Sequence, residues 1–152
     1  MQQQEFKKLV GKFSTGVTVI TGNYAANNFG FTASSFASLS LEPLLVSFNI
    51  ANDAGCFALI KNSTYLNINI LAKEQKDLAY RFAKRDADKF AETNFTINQF
   101  NIPKLVNSLA ILEGKIQQII PAGDHHIVVL EIFKGSENKN LEPLIYYSGV
   151  IA

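Results

Sequence analysis

Short runs in which an apolar side chain recurs at every second position limit the folds that this chain can adopt. In LLVSFNI, residues 44–50, every even position is apolar, and Ser47 and Asn49 are polar on the opposite face. The run TYLNINIL, residues 64–71, repeats the pattern with Asn67 and Asn69. Because strand side chains alternate with period two, both runs predict strands with one apolar face and one polar face.

Further segments extend this pattern along the chain. The β-branched run at 17–22 predicts a strand, and the runs at 109–120, 125–135 and 143–150 predict long antiparallel strands, the first two joined by the turn PAGD. Apolar residues at helical spacing in 6–13 and in 73–85 predict two amphipathic helices. In the second helix, Asp77 precedes Arg81 by four residues, the favourable order for an ion pair.

Two connecting segments carry weaker signals. The segment 52–63 suits a short helix with Asp53 near its start, and the segment 86–107 is predicted to be irregular. Many short strands, few helices and no regular βαβ alternation favour a mainly β protein, an antiparallel barrel with peripheral helices. A chain of 152 residues is most simply one domain, 1–152.

Charge and composition exclude several function classes. A net charge of +1 without a basic run argues against nucleic-acid binding. The N-terminus lacks the apolar core of a signal peptide, and no apolar run approaches a membrane span, so we expect a cytoplasmic protein. Cys56 is the single cysteine and cannot form an internal disulfide; we expect a small buried residue. The adjacent His125 and His126 point to opposite faces of a strand, which argues against a metal site.

The segment GFTASSFASLS, residues 30–40, contains an unusual density of hydroxyls for a chain rich in strands. They belong to Thr32, Ser34, Ser35, Ser38 and Ser40. Short hydroxyls and successive main-chain N–H groups can hold a phosphate. The alternative is a strand edge or turn in which the hydroxyls bond to their own backbone, and composition alone favours that alternative.

A basic cluster and a histidine offer further candidate ligands. Arg81, Lys84 and Arg85 lie at a predicted helix C-terminus, where cations favour the helix dipole, and one of them could instead meet a phosphate. His125 follows a turn residue at the start of a strand, from which it could reach a ligand. Neither G-x-G-x-x-G nor the P-loop motif is present, so a nucleotide would need another cradle.

The order of the segments is more specific than any one of them. The sequence FSTGVTVITG, then GFTASSFASLSLEPLLVSFNI, YLNINIL, LAYRFA, KF, GDHHIVVLEI and PLIYYSG resembles the flavin reductase family with the FMN-binding split-barrel fold. This resemblance implies a six-stranded antiparallel split β-barrel that forms a homodimer. It also implies FMN or FAD, NADH or NADPH, and a partner oxygenase that receives the reduced flavin.

The same resemblance implies roles for particular residues. The T-x-S-S-F segment would contact the ribityl chain and phosphate, and the G-D-H segment, Gly123 to His125, would place His125 against the nicotinamide. The flavin-binding candidates are Thr32, Ala33, Ser34, Ser35 and Ser38 for the polar tail, Asn49 and Asn52 for the ring edge, Phe82 against the flavin, and one of Arg81, Lys84 or Arg85 for the phosphate. Tyr146 is a weaker candidate for the nicotinamide pocket.

The implied reaction is hydride transfer from nicotinamide C4 to flavin N5, with the chemistry carried by the cofactors. His125 would orient the nicotinamide or polarise its carboxamide rather than transfer a proton. Two alternatives remain open from sequence. One is a flavin-binding electron carrier on the same barrel without useful nicotinamide activity, and the other is a catalytically silent barrel that acts as an interaction module.

Overall fold

The protein is mainly β with peripheral helices, as the alternation predicts. The structure, a computed structural model, describes residues 1–85 and 88–152. Its elements in chain order are α1 (Gln3–Val10), β1 (Thr15–Gly16), β2 (Thr18–Tyr24), β3 (Asn27–Ala33), β4 (Ala37–Leu41), β5 (Leu44–Ala51), α2 (Phe57–Lys61), β6 (Tyr65–Ile70), a 3-10 helix (Lys73–Gln75), α3 (Lys76–Ala83), β7 (Phe95–Ile97), β8 (Pro103–Leu105), β9 (Ala110–Ala122), β10 (His125–Glu137), β11 (Ile145–Tyr147) and β12 (Val150–Ile151).

The main sheet is antiparallel throughout and curls into a split barrel. Its seven strands follow the order β3-β2-β6-β9-β10-β5-β4. The two ends of the curl meet where Phe31 of β3 packs on Phe48 of β5, with ring centroids 5.9 Å apart. The Asn49 N–H also donates to Ser35 Oγ at 2.8 Å. The resemblance implies six strands, whereas this sheet has seven; its edge strand β4 is formed by the second half of the hydroxyl-rich segment.

The β9–β10 hairpin confirms the two long strands predicted around PAGD. Each strand has 13 residues, and they are joined by the two-residue turn of Gly123 and Asp124. Gly123 has φ +63°, which a glycine adopts without strain. The third predicted long run does not join this sheet, because β11 pairs instead with β1 and β12 in a separate three-stranded sheet. The turn leaves His125 as the first residue of β10, at the barrel end.

Two apolar clusters form the core. The first fills the barrel and includes Phe48, Ile68 and Leu130, all fully buried. The second lies under α3, which contributes Ala79 and Phe82 to it. The predicted second helix is therefore present as the 3-10 turn and α3, and it covers the sheet with one apolar face. The predicted short helix begins at Phe57, four residues after Asp53, so Asp53 lies in the turn before α2.

Two buried asparagines hold a hairpin that the sequence does not predict. The polar face of β6 is covered by β8, which pairs with β7 within the segment expected to be irregular, so that expectation was wrong for residues 95–97 and 103–105. Asn69 accepts from the Leu105 N–H at 2.9 Å, and Asn67 donates to the Pro103 carbonyl at 3.2 Å. Residues 86 and 87 of that segment lie outside the described residues.

Helix α1 leaves its apolar side chains uncovered within the single chain. Phe6, Leu9 and Val10, and Phe13 just beyond the helix, are all more than half exposed. The amphipathic helix predicted for 6–13 is thus present over Gln3–Val10, and none of its residues is buried against the described part of the chain. Among the described residues, no helix combines the length and the apolar character needed to cross a membrane.

Candidate functional site

The hydroxyl-rich segment forms walls of two adjoining cavities. The first, of about 360 Å³, is called here the hydroxyl cavity, and the second, of about 510 Å³, the cationic cavity. Four residues line both cavities: Phe31 and Thr32 in β3, Ala51 at the end of β5, and Ala54 in the turn that follows. The two cavities therefore share a wall. The hydroxyl cavity is lined by Phe31, Thr32, Ala33, Ser34, Ser35, Asn49, Ile50, Ala51, Ala54 and His125.

Six of the predicted site residues meet at the hydroxyl cavity. They are Thr32, Ala33, Ser34, Ser35, Asn49 and His125. Two of their hydroxyls also bond to the main chain: Thr32 Oγ1 donates to the Ala79 carbonyl at 2.6 Å, and Ser35 Oγ accepts from the Asn49 N–H. These bonds dock α3 on β3 and close the barrel, so the hydroxyls both stabilise the fold and line the cavity. The side chain of Ser34 bonds to no other group in the described part of the chain.

His125 is held by its neighbour in the turn. Its Nδ1 lies 2.7 Å from Asp124 Oδ1. This hydrogen bond, followed by the charge of the ring, lowers the pKa of the Asp124 carboxyl below its ordinary value. An ionised carboxylate only accepts, so the ring proton lies on Nδ1, and Nε2 is the nitrogen left for another partner.

Asn52 lies outside both cavities and contacts residues of the β9–β10 hairpin. Its Oδ1 is 2.6 Å from His126 Nδ1, and its main-chain N–H donates to the Asp124 carbonyl at 3.0 Å. These contacts tie the turn after β5 to the turn that carries His125. His126 also packs on Phe57, with ring centroids 4.4 Å apart, on the side of the strand away from His125.

Charged side chains from three segments line the cationic cavity. The cations are Lys84, Arg85 and Lys89, and the carboxylates are Asp53 and Asp88. Helix α3 ends at Ala83, with Lys84 as its extended C-cap, so the last two basic residues leave the helix and border the cavity. Phe82, the fourth candidate from this segment, also lines the cavity, although its side chain is fully buried.

Arg81 has a different environment. Its Nη1 donates to the Glu92 carbonyl at 2.9 Å and to Thr93 Oγ1 at 2.7 Å, and it lines neither cavity. The ion pair with Asp77 expected from sequence spacing does not form, because the guanidinium turns to the segment after α3 instead. Of the three basic candidates, the structure brings Lys84 and Arg85 to the cavity.

Lys89 and Cys56 are cavity residues to which sequence reasoning gave no ligand role. Lys89 Nζ donates to the Gly30 carbonyl at 2.8 Å and to the Phe82 carbonyl at 3.1 Å. Burial lowers the pKa of this ammonium. Cys56 is half-buried rather than fully buried, and burial raises the pKa of its thiol despite the nearby charge of Lys89. The one feature of the sequence that pointed to Lys89 is that it belongs to KF, one of the segments on which the family resemblance rests.

Two further candidates lie away from both cavities. Ser38 is exposed on the edge strand β4, opposite Val46. Tyr146 is in β11, where it pairs with Thr15 and packs against the second core cluster. Neither residue lines the hydroxyl or the cationic cavity within this chain.

Comparison with known proteins identifies the family. Residues 10–152 match the family described as flavin reductase like domain. The chain is 36% identical over 146 residues to the flavin-dependent monooxygenase reductase subunit HsaB of Rhodococcus jostii, covering 96% of this chain and 75% of that protein. It is 34% identical over 150 residues to an NADH:FMN oxidoreductase of Rhodococcus qingshengii, covering 95% of this chain and 78% of that protein.

The fold also matches solved structures closely. The NADH:FAD oxidoreductase SgcE6 of Streptomyces globisporus, solved in complex with NAD and FAD fragments, superposes with a TM-score of 0.95 at 26% identity. The match covers 99% of this chain and 92% of that one. With the split barrel and the family match over nearly its whole length, this chain belongs to the flavin reductase family.

Proposed function

We propose that this chain transfers a hydride from NADH or NADPH to FMN or FAD and supplies the reduced flavin to a partner monooxygenase. The observation that carries the proposal is the junction of the two cavities. The hydroxyl segment and His125 line one cavity, and the cations beside α3 line the other, which shares a wall with the first.

The groups at the two cavities fit a flavin nucleotide. Hydroxyls and main-chain amides at 32–35 suit a polyhydroxyl chain, and Lys84 with Arg85 suits the phosphate that follows it. An apolar wall such as Phe31 suits the uncharged parts of such a ligand, whereas the fully buried side chain of Phe82 presents no ring surface to it. When bound, the flavin supplies the hydride acceptor, so the protein needs no obligatory acid or base.

The chain's own residues then bind and orient. Thr32, Ala33, Ser34 and Ser35 bind the tail, and Asn49 is the candidate for the ring edge, since all of them line the hydroxyl cavity. Ser38, Arg81 and Tyr146 line neither cavity of this chain and have no assigned role in the proposed reaction.

His125 acts by positioning the nicotinamide. With its proton on Nδ1 toward Asp124, a neutral ring offers Nε2 as a hydrogen-bond acceptor, which suits the carboxamide N–H of a nicotinamide. In the charged ring, Nε2 donates instead and suits the carboxamide oxygen, so the same contact with Asp124 serves either orientation or polarisation. Asn52 supports this arrangement through its bond to the Asp124 carbonyl.

A homodimer in the cytoplasm completes the proposal. The support for a dimer is the exposed apolar face of α1 and Phe13, since large uncovered apolar side chains mark association surfaces. Light scattering after gel filtration measures the mass directly. A monomer at micromolar concentration would contradict this part of the proposal.

The proposed activity is tested by anaerobic stopped-flow absorbance. The protein is mixed with excess FMN or FAD and with NADH or NADPH, and the oxidised flavin band is followed. Rapid bleaching over many turnovers is expected. Tight flavin binding without bleaching would indicate an electron carrier, and no flavin binding would indicate an interaction module.

The role of His125 is tested by His125→Ala, with the adjacent His126→Ala as the matched control. Loss of one hydrogen bond to the nicotinamide should raise the KM for NAD(P)H about two- to tenfold, with flavin affinity unchanged. His126 lies outside both cavities and reaches the turn of His125 only through Asn52, so its variant should raise the KM for NAD(P)H less than His125→Ala does. Equal loss of flavin and nicotinamide binding in His125→Ala would contradict this division of roles.

A further inference from the structure

In the cationic cavity, the carboxylate of Asp53 forms an ion pair with the guanidinium of Arg85. Asp53 Oδ2 lies 3.5 Å from Arg85 Nη2, and both residues line the cavity. Asp53 belongs to the turn after β5, whereas Arg85 follows the end of α3. The ion pair therefore links two walls of the cavity that come from distant parts of the chain.

The three cations of the cavity differ in how they are engaged. Lys89 is fixed by two main-chain carbonyls. Lys84 forms no ion pair with any residue in the described ranges. Arg85 is the cation whose partner is a carboxylate, and this partner has the same charge as the phosphate that the proposed function brings to the cavity.

The Asp53–Arg85 ion pair contributes little to the stability of the fold and is easily replaced by another anion. Its two side chains are 76% and 72% exposed, and a single contact at 3.5 Å joins them. Exposed pairs of this kind are weak, because water and salt screen the charges. A guanidinium binds a phosphate through several donors at once, so an incoming phosphate can displace the single carboxylate contact.

We propose that Asp53 sets the affinity for flavin nucleotides by competing with their phosphate for Arg85. The inference rests on the proposed function, in which the phosphate lies at Lys84 and Arg85. The carboxylate holds Arg85 across the cavity before a nucleotide binds, and it repels the phosphate that replaces it. Both effects weaken nucleotide binding, which suits a protein that must release reduced flavin to another enzyme.

The test compares FMN with riboflavin, which lacks the phosphate, in the wild-type protein and in Asp53→Asn. Affinities are measured by quenching of flavin fluorescence at fixed low ionic strength. Asp53→Asn should bind FMN about three- to tenfold more tightly, from loss of the competing pair and of the repulsion. Riboflavin affinity should stay within about twofold, because no phosphate is present to respond to the charge.

Two further variants separate competition from a general charge effect. Asp88→Asn removes the other carboxylate of the cavity, which accepts from the Phe90 N–H and not from Arg85, so it should tighten FMN binding less than Asp53→Asn. In an Arg85→Gln background, the effect of Asp53→Asn should shrink, as a double-mutant cycle would measure.

The results of these measurements separate a failure of the role proposed for Asp53 from a failure of the proposed flavin reductase function. Unchanged or weaker FMN binding in Asp53→Asn, or an equal gain for riboflavin, would overturn the role of Asp53 while leaving the flavin site intact. A wild-type protein that binds neither FMN nor riboflavin would overturn the proposed function, and this inference with it.

Discussion

Replacement of Lys89 by methionine tests how much the side chain of this residue, which lines the cationic cavity, contributes to the stability of the fold. The ammonium of Lys89 donates to the carbonyls of Gly30 and Phe82, and so connects β3 to α3. Phe82 lies in the last turn of α3, where carbonyls have no acceptor role inside the helix. Methionine retains most of the apolar stem of the side chain but donates to neither carbonyl.

The expected cost follows from these two bonds. Hydrogen bonds from a charged donor contribute about 1.5–3 kcal/mol each. Burial of the charge, seen in the lowered pKa of Lys89, offsets part of that gain. We therefore expect Lys89→Met to lower the free energy of unfolding by about 2 kcal/mol, or the Tm by about 4–8 °C for a chain of this size.

Urea denaturation followed by circular dichroism measures this loss. The midpoint should fall by about 1 M with an unchanged slope. Lys84→Met is the matched control, since Lys84 borders the same cavity but is exposed, and its variant should stay within about 0.5 kcal/mol of wild type. If Lys89→Met is no less stable than Lys84→Met, the reasoning from the two carbonyl contacts is refuted.

Three further outcomes are expected. Asn69→Ala should cost about 2–4 kcal/mol in urea denaturation, because it leaves buried main-chain groups of Val19 and Leu105 without their partner; a loss under about 1 kcal/mol would contradict this. The Cys56 thiol, titrated by its rate of alkylation, should show a pKa above its ordinary 9.0, since burial outweighs the charge of a nearby ammonium; a value at or below 9.0 would count against it. The Asp124 carboxyl should titrate below 3.8 by NMR, so its contact with His125 is present above that pH and is lost as the pH falls through the lowered pKa; in His125→Gln the value should return toward 3.8.

The strands were predictable because their side-chain pattern reports directly on burial. Residues 44–50 alternate in sequence and form β5, whose apolar face, including Phe48, fills the barrel. The hairpin of β9 and β10 was predictable from its turn residues. The β7–β8 hairpin was not, because strands of three residues have no measurable period and depend on side chains of β6 from a distant part of the chain.

The site shows the same division. The resemblance implies that the hydroxyls contact the flavin tail and that His125 contacts the nicotinamide. The structure places both at the hydroxyl cavity, and their roles stay predictions. The choice among Arg81, Lys84 and Arg85 depends on where α3 ends, and helix ends are poorly specified by periodicity. Lys89 was missed because its contacts are with main-chain carbonyls, which carry no side-chain signal.

The asparagines of β6 also bear on how the barrel avoids misfolding. From Leu66 to Asn69 this strand is buried on both faces, so exposure alone does not decide which residues face the barrel interior. A slip of one residue would turn Asn67 and Asn69 into the apolar core and set Leu66 and Ile68 against the main-chain groups of β8. Each buried amide would then lose its partners, a cost that rises with every asparagine misplaced. The two amides thus specify one strand alignment, and variants that remove both should populate slipped pairings during refolding.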